Sequence, residues 1–116
     1  MMTGDAQFDV TASERPGVPV LHCRGEIDVA SAPELHALLA DLVGQGPETL
    51  VIDMSAVSFI DSSGLGVLVS AEKDMRMTGH GLRLVAPQPQ IERLLEMTGL
   101  NEVFTVVSSM SDAVTA

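Results

Sequence analysis

The sequence predicts an α/β domain in which a mixed central β-sheet is covered by about four helices. Three observations carry that prediction. Short runs rich in aliphatic and β-branched residues alternate with amphipathic stretches of helical period. Glycine or proline stands at most of the changes of period. The run Leu50-Val51-Ile52 is apolar without alternation, as in a strand covered on both faces.

The elements follow in order. Phe8-Asp9-Val10-Thr11-Ala12 alternates apolar and polar residues, and Val18 to Arg24 continues extended beyond the turn signal Arg15-Pro16-Gly17, which predicts a hairpin. Ser31-Ala32-Pro33-Glu34 opens the first helix, with serine as cap, proline in the first turn and an acid against the dipole. Leu35, Leu38, Leu39, Leu42 and Val43 form its buried stripe, and Gly44 or Gly46 stops it. Thr49 to Asp53 reads as a short strand with Asp53 at its end. The second helix runs from about Ser63 to Thr78 and is ended by Gly79. Leu82 to Ala86 is the next strand, broken by Pro87 and Pro89. Pro89 then leads a helix with Ile91, Leu94 and Leu95 inward and Gly99 closing it. A strand near Val103 to Val107 and a weak helix from about Ser109 complete the chain.

Size and composition bound the function. With 116 residues the chain fits one domain able to bury well over half of its unfolded surface. Residues 1–6 are expected to be a flexible N-terminus and 7–116 the domain. Apolar residues make up 46% and no apolar run reaches membrane-spanning length. The start Met1-Met2-Thr3-Gly4-Asp5 lacks the basic and apolar segments of a signal peptide, so a soluble, cytoplasmic protein is expected. Cys23 is the single cysteine, which excludes an internal disulfide and a cysteine zinc site within one chain and suits a small core residue. The formal charge of -10, with Lys73 as the single lysine, leaves no basic patch for nucleic acid or for an anionic membrane. A basic protein partner is the natural complement, with association that weakens as salt rises.

The most informative segment is Asp61-Ser62-Ser63-Gly64-Leu65-Gly66. It places a carboxylate and two hydroxyls at the start of the second helix, where unpaired N–H groups and the positive dipole end suit a capping side chain and also suit an added phosphate. At about 100° per residue, Gly64, Val67, Leu68, Ala71, Met75 and Thr78 share the face expected against the sheet. Ser63, Gly66, Ser70 and Asp74 lie opposite, on a face small enough for another protein to approach the backbone closely. Leu65 and Val69 fall between the faces with Glu72 and Arg76 and are candidate apolar contacts for a partner. Taken alone, local chemistry favours a plain cap. A serine hydrolase fits worse, because the nucleophile elbow is absent and His22, His36 and His80 lie in segments with no evident route to a serine, base and orienter arrangement.

The stretch from Leu50 through Asp61-Ser62-Ser63-Gly64-Leu65-Gly66 to Leu68 resembles the signature of the STAS domain family, specifically the bacterial anti-sigma factor antagonists. Arg24-Gly25-Glu26-Ile27-Asp28 is similar to the family's upstream Gly-Glu-Leu-Asp motif, with Ile27 in place of the commoner leucine, and the similarity runs in order along essentially the whole chain. The resemblance implies a single STAS domain that is not an enzyme and needs no cofactor or metal. It implies a partner switch. The unmodified antagonist binds an anti-sigma factor that is also a serine kinase and so releases a sigma factor, in stress response or sporulation. Phosphorylation at the position of Ser63 ends binding, and a metal-dependent serine phosphatase restores it. Asp28 and Asp61 map near that serine, and with Ser62, Ser63, Gly64, Leu65, Gly66 and Val69 they make the expected partner-binding set.

Two other readings compete. A receiver-like aspartyl phosphoacceptor would use Asp53, but Lys73 lies inside a helix and no acidic pair follows the first strand. A constitutive STAS adaptor or scaffold subunit would leave Ser63 unmodified, and the sequence separates it poorly from the switch. Without a coiled coil or a long apolar edge, a free monomer is the expected state.

Overall fold

The structure, a computed structural model, describes residues 8–15, 17–79 and 81–115. The expected flexible segment 1–6 lies outside the described residues. The chain forms β1 (Phe8–Arg15), β2 (Val18–Ile27), α1 (Ala32–Gly44), β3 (Leu50–Ile60), α2 (Ser62–Arg76), β4 (Leu82–Val85), α3 (Pro89–Thr98), β5 (Thr105–Val107) and α4 (Met110–Thr115). A 3₁₀ turn at Leu100–Glu102 follows α3.

The sheet is mixed and its five strands lie in sequence order. β1 and β2 form the expected hairpin, paired antiparallel from Phe8 opposite Gly25 to Arg15 opposite Val18, and Gly17 takes the left-handed conformation its turn requires at φ 76°. The remaining neighbours, β2 with β3, β3 with β4 and β4 with β5, are parallel, each linked by a helical crossover.

Alternation along the strands sends side chains into two unequal cores. Leu21, Ile52 and Leu84 face α1, α2 and α3, where Leu35, Leu39, Leu68, Met75, Ile91 and Leu95 bury against them. On the opposite face, Val20, Val51 and Val85 pack beneath Ala113 of α4. The non-alternating apolar run of β3 thus has the double cover that its sequence predicts.

Several boundaries differ from expectation for physical reasons. β3 continues to Ile60, so Asp53 stands in mid-strand. The polar residues Ser55 and Ser58 make the extension read as loop, yet β2 pairs with it as far as Ile60. β4 leaves the ladder at Asp53, and beyond that point the side-chain amides of Gln88 and Gln90 donate to the carbonyls of Ser55 and Ser58, both at 3.0 Å. α2 ends at Arg76 and β5 starts at Thr105, after the 3₁₀ turn. Ser31 occupies the cap position of α1 but makes no side-chain cap bond.

Candidate functional site

β2 and β3 end side by side, with Ile27 opposite Ile60, and the N–H of Asp61 donates to the carbonyl of Ile27 at 3.1 Å. The two chain segments that leave this end carry the candidate residues: the turn after Ile27 holds Asp28, and the start of α2 holds Asp61 to Gly66.

Asp61 is the cap. Its backbone is extended, at φ -109° and ψ -173°, and its Oδ1 accepts from the N–H of Ser63 at 2.9 Å and of Gly64 at 3.2 Å. With that role taken, Ser63 is left half-buried, and its hydroxyl makes no hydrogen bond among the described residues. Ser62 is exposed in the first turn. Gly64 lies against the strand ends: a Cβ there would fall 2.6 Å from Ile27 Cγ2 and 2.7 Å from Ile60 Cγ1. Gly66 is exposed, and a Cβ there would meet nothing within 4 Å.

Asp28 organises its own turn. Its Oδ1 accepts from the N–H groups of Ala30 at 3.0 Å and Ser31 at 3.1 Å, while the Ser31 hydroxyl donates to the Glu26 carbonyl at 2.9 Å. The hydrogen bond from the Ser31 N–H leads the effects that hold the Asp28 carboxyl below its ordinary value, against a smaller desolvation effect. A shallow hollow beside it is lined by Glu26, Asp28 and Glu34 with Phe8, Ala30 and Ser31, so the surface at this end is acidic.

The buried stripe of α2 is Gly64, Leu65, Leu68, Ala71, Glu72 and Met75, rotated from the expected face. Leu65 is only 9% exposed and belongs to the main core, so its side chain is a packing group rather than an open contact for a partner. Val69 is half-buried against the same core. Glu72 is buried because its carboxylate accepts the N–H of Leu82 at 2.7 Å and pairs with Arg76, fixing the end of α2 to the start of β4. Thr78, expected inward, is exposed because the helix ends before it. Two apolar residues at this end escape the sequence reading: Val29, 72% exposed after Asp28, and Phe59, 47% exposed two residues before Asp61. Phe59 lies in the part of β3 that reads as loop, and Val29 is a lone apolar residue in a turn; neither has a periodic signal.

The histidine reading needs correction as well. His22 Nε2 lies 2.9 Å from Ser13 Oγ, and its Nδ1 lies 3.0 Å from Asp53 Oδ2, because β1 and β3 flank β2 on the sheet face left open beside α4. These residues are nine and 31 positions apart from His22, which hides their proximity in the sequence. All three sit within strands, without the strand-to-helix turn that joins a nucleophile to oxyanion donors. Asp53 Oδ1 also accepts from the N–H of Ser55 at 3.0 Å and its hydroxyl at 2.8 Å. Desolvation would raise the Asp53 pKa, but the bonds from Ser55 and His22 outweigh it and the carboxyl lies below its ordinary value. Both of its oxygens are engaged, unlike an open phosphoacceptor. His36 is exposed on α1, and His80 lies outside the described residues. Cys23 is buried, and burial, with the Asp53 charge adding to it, pushes its thiol up to about 12. Among the described residues no group of three or more His, Cys, Asp or Glu side chains is placed to hold a metal, and no helix is long and apolar enough to cross a membrane.

Residues 9–113, nearly the whole described chain, match the STAS domain model. The chain belongs to the STAS domain family. Among its relatives, the anti-sigma-F factor antagonist RsfB of Mycobacterium tuberculosis is 35% identical over 115 residues, covering 98% of this chain and 93% of the relative. The anti-sigma-B factor antagonist of Bacillus subtilis is 40% identical over 82 residues, covering 71% of this chain and 74% of the relative. The crystal structure of an anti-sigma factor antagonist from Mycobacterium paratuberculosis superposes with a TM-score of 0.84 at 34% identity, covering 93% of this chain and 92% of that one. The STAS fold is therefore shared with these proteins, and with it the character of a binding regulator instead of an enzyme.

Proposed function

We propose that this STAS domain is an anti-sigma factor antagonist switched by phosphorylation of Ser63. The unmodified form binds an anti-sigma factor that is also a serine kinase, which frees a sigma factor. The kinase phosphorylates Ser63 and the complex dissociates, and a metal-dependent serine phosphatase resets the protein. All partners belong to the cytoplasm, and neither nucleic acid nor membrane is contacted directly. The names of the relatives support the antagonist role.

The observation that carries the switch is the division of labour at the start of α2. Asp61 supplies the cap through the Ser63 and Gly64 N–H groups, so the helix does not depend on the Ser63 hydroxyl. A phosphate there brings about -1.5 to -2 charge to a helix N-terminus, where dipole and N–H groups tolerate it. The helix stays folded. Beside Asp61 and the acidic turn of Asp28, the same phosphate adds bulk and like charge to the contact surface. A hundredfold loss of affinity needs about 2.7 kcal/mol, within what an unpaired buried charge costs.

The test is to incubate the protein with ATP and a candidate anti-sigma kinase and to compare wild type, Ser63→Ala and Ser63→Asp. Ser63→Ala is expected to abolish labelling and keep binding, whereas Ser63→Asp weakens binding. Labelling that persists in Ser63→Ala overturns the site assignment. Binding that is unchanged by a true phosphate at Ser63 favours a constitutive adaptor.

A further inference from the structure

The open half of the sheet face beside α4 carries an arrangement that the Ser63 site does not use. Ser13, His22 and Asp53 come from three neighbouring strands and form one chain of hydrogen bonds. Ser13 Oγ lies 2.9 Å from His22 Nε2, His22 Nδ1 lies 3.0 Å from Asp53 Oδ2, and Asp53 Oδ1 is held by the N–H and hydroxyl of Ser55. Exposure falls along the chain: Ser13 is exposed, the His22 side chain is 39% exposed and that of Asp53 22%. A carboxylate that accepts from Nδ1 leaves Nε2 of the neutral ring as an acceptor, so the Ser13 hydroxyl donates to it. A nucleophile within reach of a base, with the base oriented by a third group, is the arrangement that activates a serine. The hollow that His22 lines also holds the small side chains of Thr11 and Ala56 and the cation Arg24, with Asp9 opposite Arg24 in the ladder.

We propose that Ser13 is a self-acylation site for a small activated acyl donor, that is, an acyl group on a leaving group that departs as a weakly basic anion. Ser13 Oγ attacks the carbonyl carbon and its proton passes to His22 Nε2. The bond to the leaving group breaks as the serine ester forms, and the proton leaves with the departing group. Asp53 does not react; it is a positioning residue that fixes the ring tautomer and orientation. Thr11 and Ala56 leave room for a short acyl chain, and Arg24 favours an anionic leaving group. Because all three residues sit within strands, no strand-to-helix turn supplies N–H groups to the oxyanion, and this limits the reaction to a single event. Attack by water on the finished ester passes through the same unsupported oxyanion, so the ester persists and the protein is modified instead of turning over. The acyl group also takes the place of the hydroxyl proton that ties β1 to His22, which makes it a covalent mark on the rim strand, independent of Ser63.

The test uses the intact chain with p-nitrophenyl acetate as the donor. Mass spectrometry of the quenched protein is expected to find an acetyl group that peptide mapping places on Ser13. Hydroxylamine removes it, as it removes an ester but not an amide on Lys73, the single lysine. Ser70, exposed on α2, is the internal reference in the same sample, and Ser13 should react about a hundredfold faster, the lower end of what a positioned base contributes. Ser13→Ala loses the adduct, and His22→Gln brings Ser13 down to the Ser70 rate. Asp53→Asn slows the reaction at least about tenfold and removes the downfield proton resonance of an Nδ1–H shared with a carboxylate, a signature tied to the tautomer. Thermal melts followed by circular dichroism check that the variants are folded, and the ratio of Ser13 to Ser70 in the wild type tests the proposal without any variant. Equal rates at Ser13 and Ser70 overturn it, as do an adduct confined to Lys73 or His22 and unchanged labelling of Ser13 in His22→Gln. Full rate in Asp53→Asn overturns the positioning role of Asp53.

Discussion

Gly64 and Gly66 lie two residues apart in one helix, and alanine at these positions is expected to act in opposite directions. At Gly66 a Cβ meets nothing within 4 Å, so the substitution removes only the conformational penalty of glycine in a helix, about 0.8–1 kcal/mol. Gly66→Ala should therefore stabilise the protein by roughly that amount and raise Tm by about 4 °C. At Gly64 the new methyl would stand 2.6 Å and 2.7 Å from two isoleucine side-chain carbons and 3.1 Å from the Ile27 carbonyl oxygen. Overpacking of that kind costs about 1–3 kcal/mol, and the contact with backbone cannot be relieved by a rotamer change. Set against the propensity gain, it leaves Gly64→Ala destabilised by up to about 2 kcal/mol. Urea unfolding followed by circular dichroism measures both. Binding to an anti-sigma factor then separates the two again: the more stable Gly66→Ala should bind at least about tenfold more weakly, because its methyl projects where the partner approaches. A Gly66→Ala protein that is no more stable than wild type refutes the packing argument. One that is more stable and binds normally refutes the assignment of this face to the partner.

Other expectations follow from the same contacts. Glu72→Ala leaves the Leu82 N–H without its acceptor and should cost about 2–4 kcal/mol in urea unfolding. Asp61→Ala removes the cap of α2 and should cost about 1–2 kcal/mol, with amide exchange accelerating first at Ser63 and Gly64. Asp28 and Asp53 have carboxyls held below their ordinary values, so the stability they add is complete above the unfolded value near 4 and is lost as pH falls through the lowered native values. Asp53→Asn should accordingly flatten the acid limb of a stability–pH curve, and an unchanged limb would contradict the assignment. Cys23, with its thiol pushed up to about 12, should ignore a thiol reagent at pH 8 until the protein unfolds.

The sequence carries the fold through residues whose local and global demands agree. Leu50-Val51-Ile52 reads as a doubly covered strand, and Gly99, at φ 76°, ends α3 where its position says it should. It misleads where a distant partner supplies what local composition lacks. The polar half of β3 is a strand only because β2 and two glutamine side chains support it. Glu72 is buried only because Arg76 and the Leu82 backbone meet it there. At the candidate site the sequence offers a carboxylate and two hydroxyls at the start of α2, and hydrogen-bond geometry makes Asp61 the cap. Leu65 shows the limit of an ideal wheel: packing rotates α2 enough to turn an intermediate position inward. The exposure of Val29 and Phe59 depends on which end of the sheet remains uncovered, which no local pattern encodes.

His22 links three strands at right angles to the chain, and this gives the domain a spectroscopic gauge. With the Asp53 carboxylate accepting at 3.0 Å, the proton of a neutral ring sits on Nδ1, and Nε2 is left to accept from the Ser13 hydroxyl. One nitrogen therefore senses the inner strand β3 and the other senses the rim strand β1. Nitrogen-15 shifts of this single ring report the rim and the interior as two separate signals. Events at β1 move the Nε2 resonance first, whereas a ligand at the Ser63 end has no direct contact with either nitrogen.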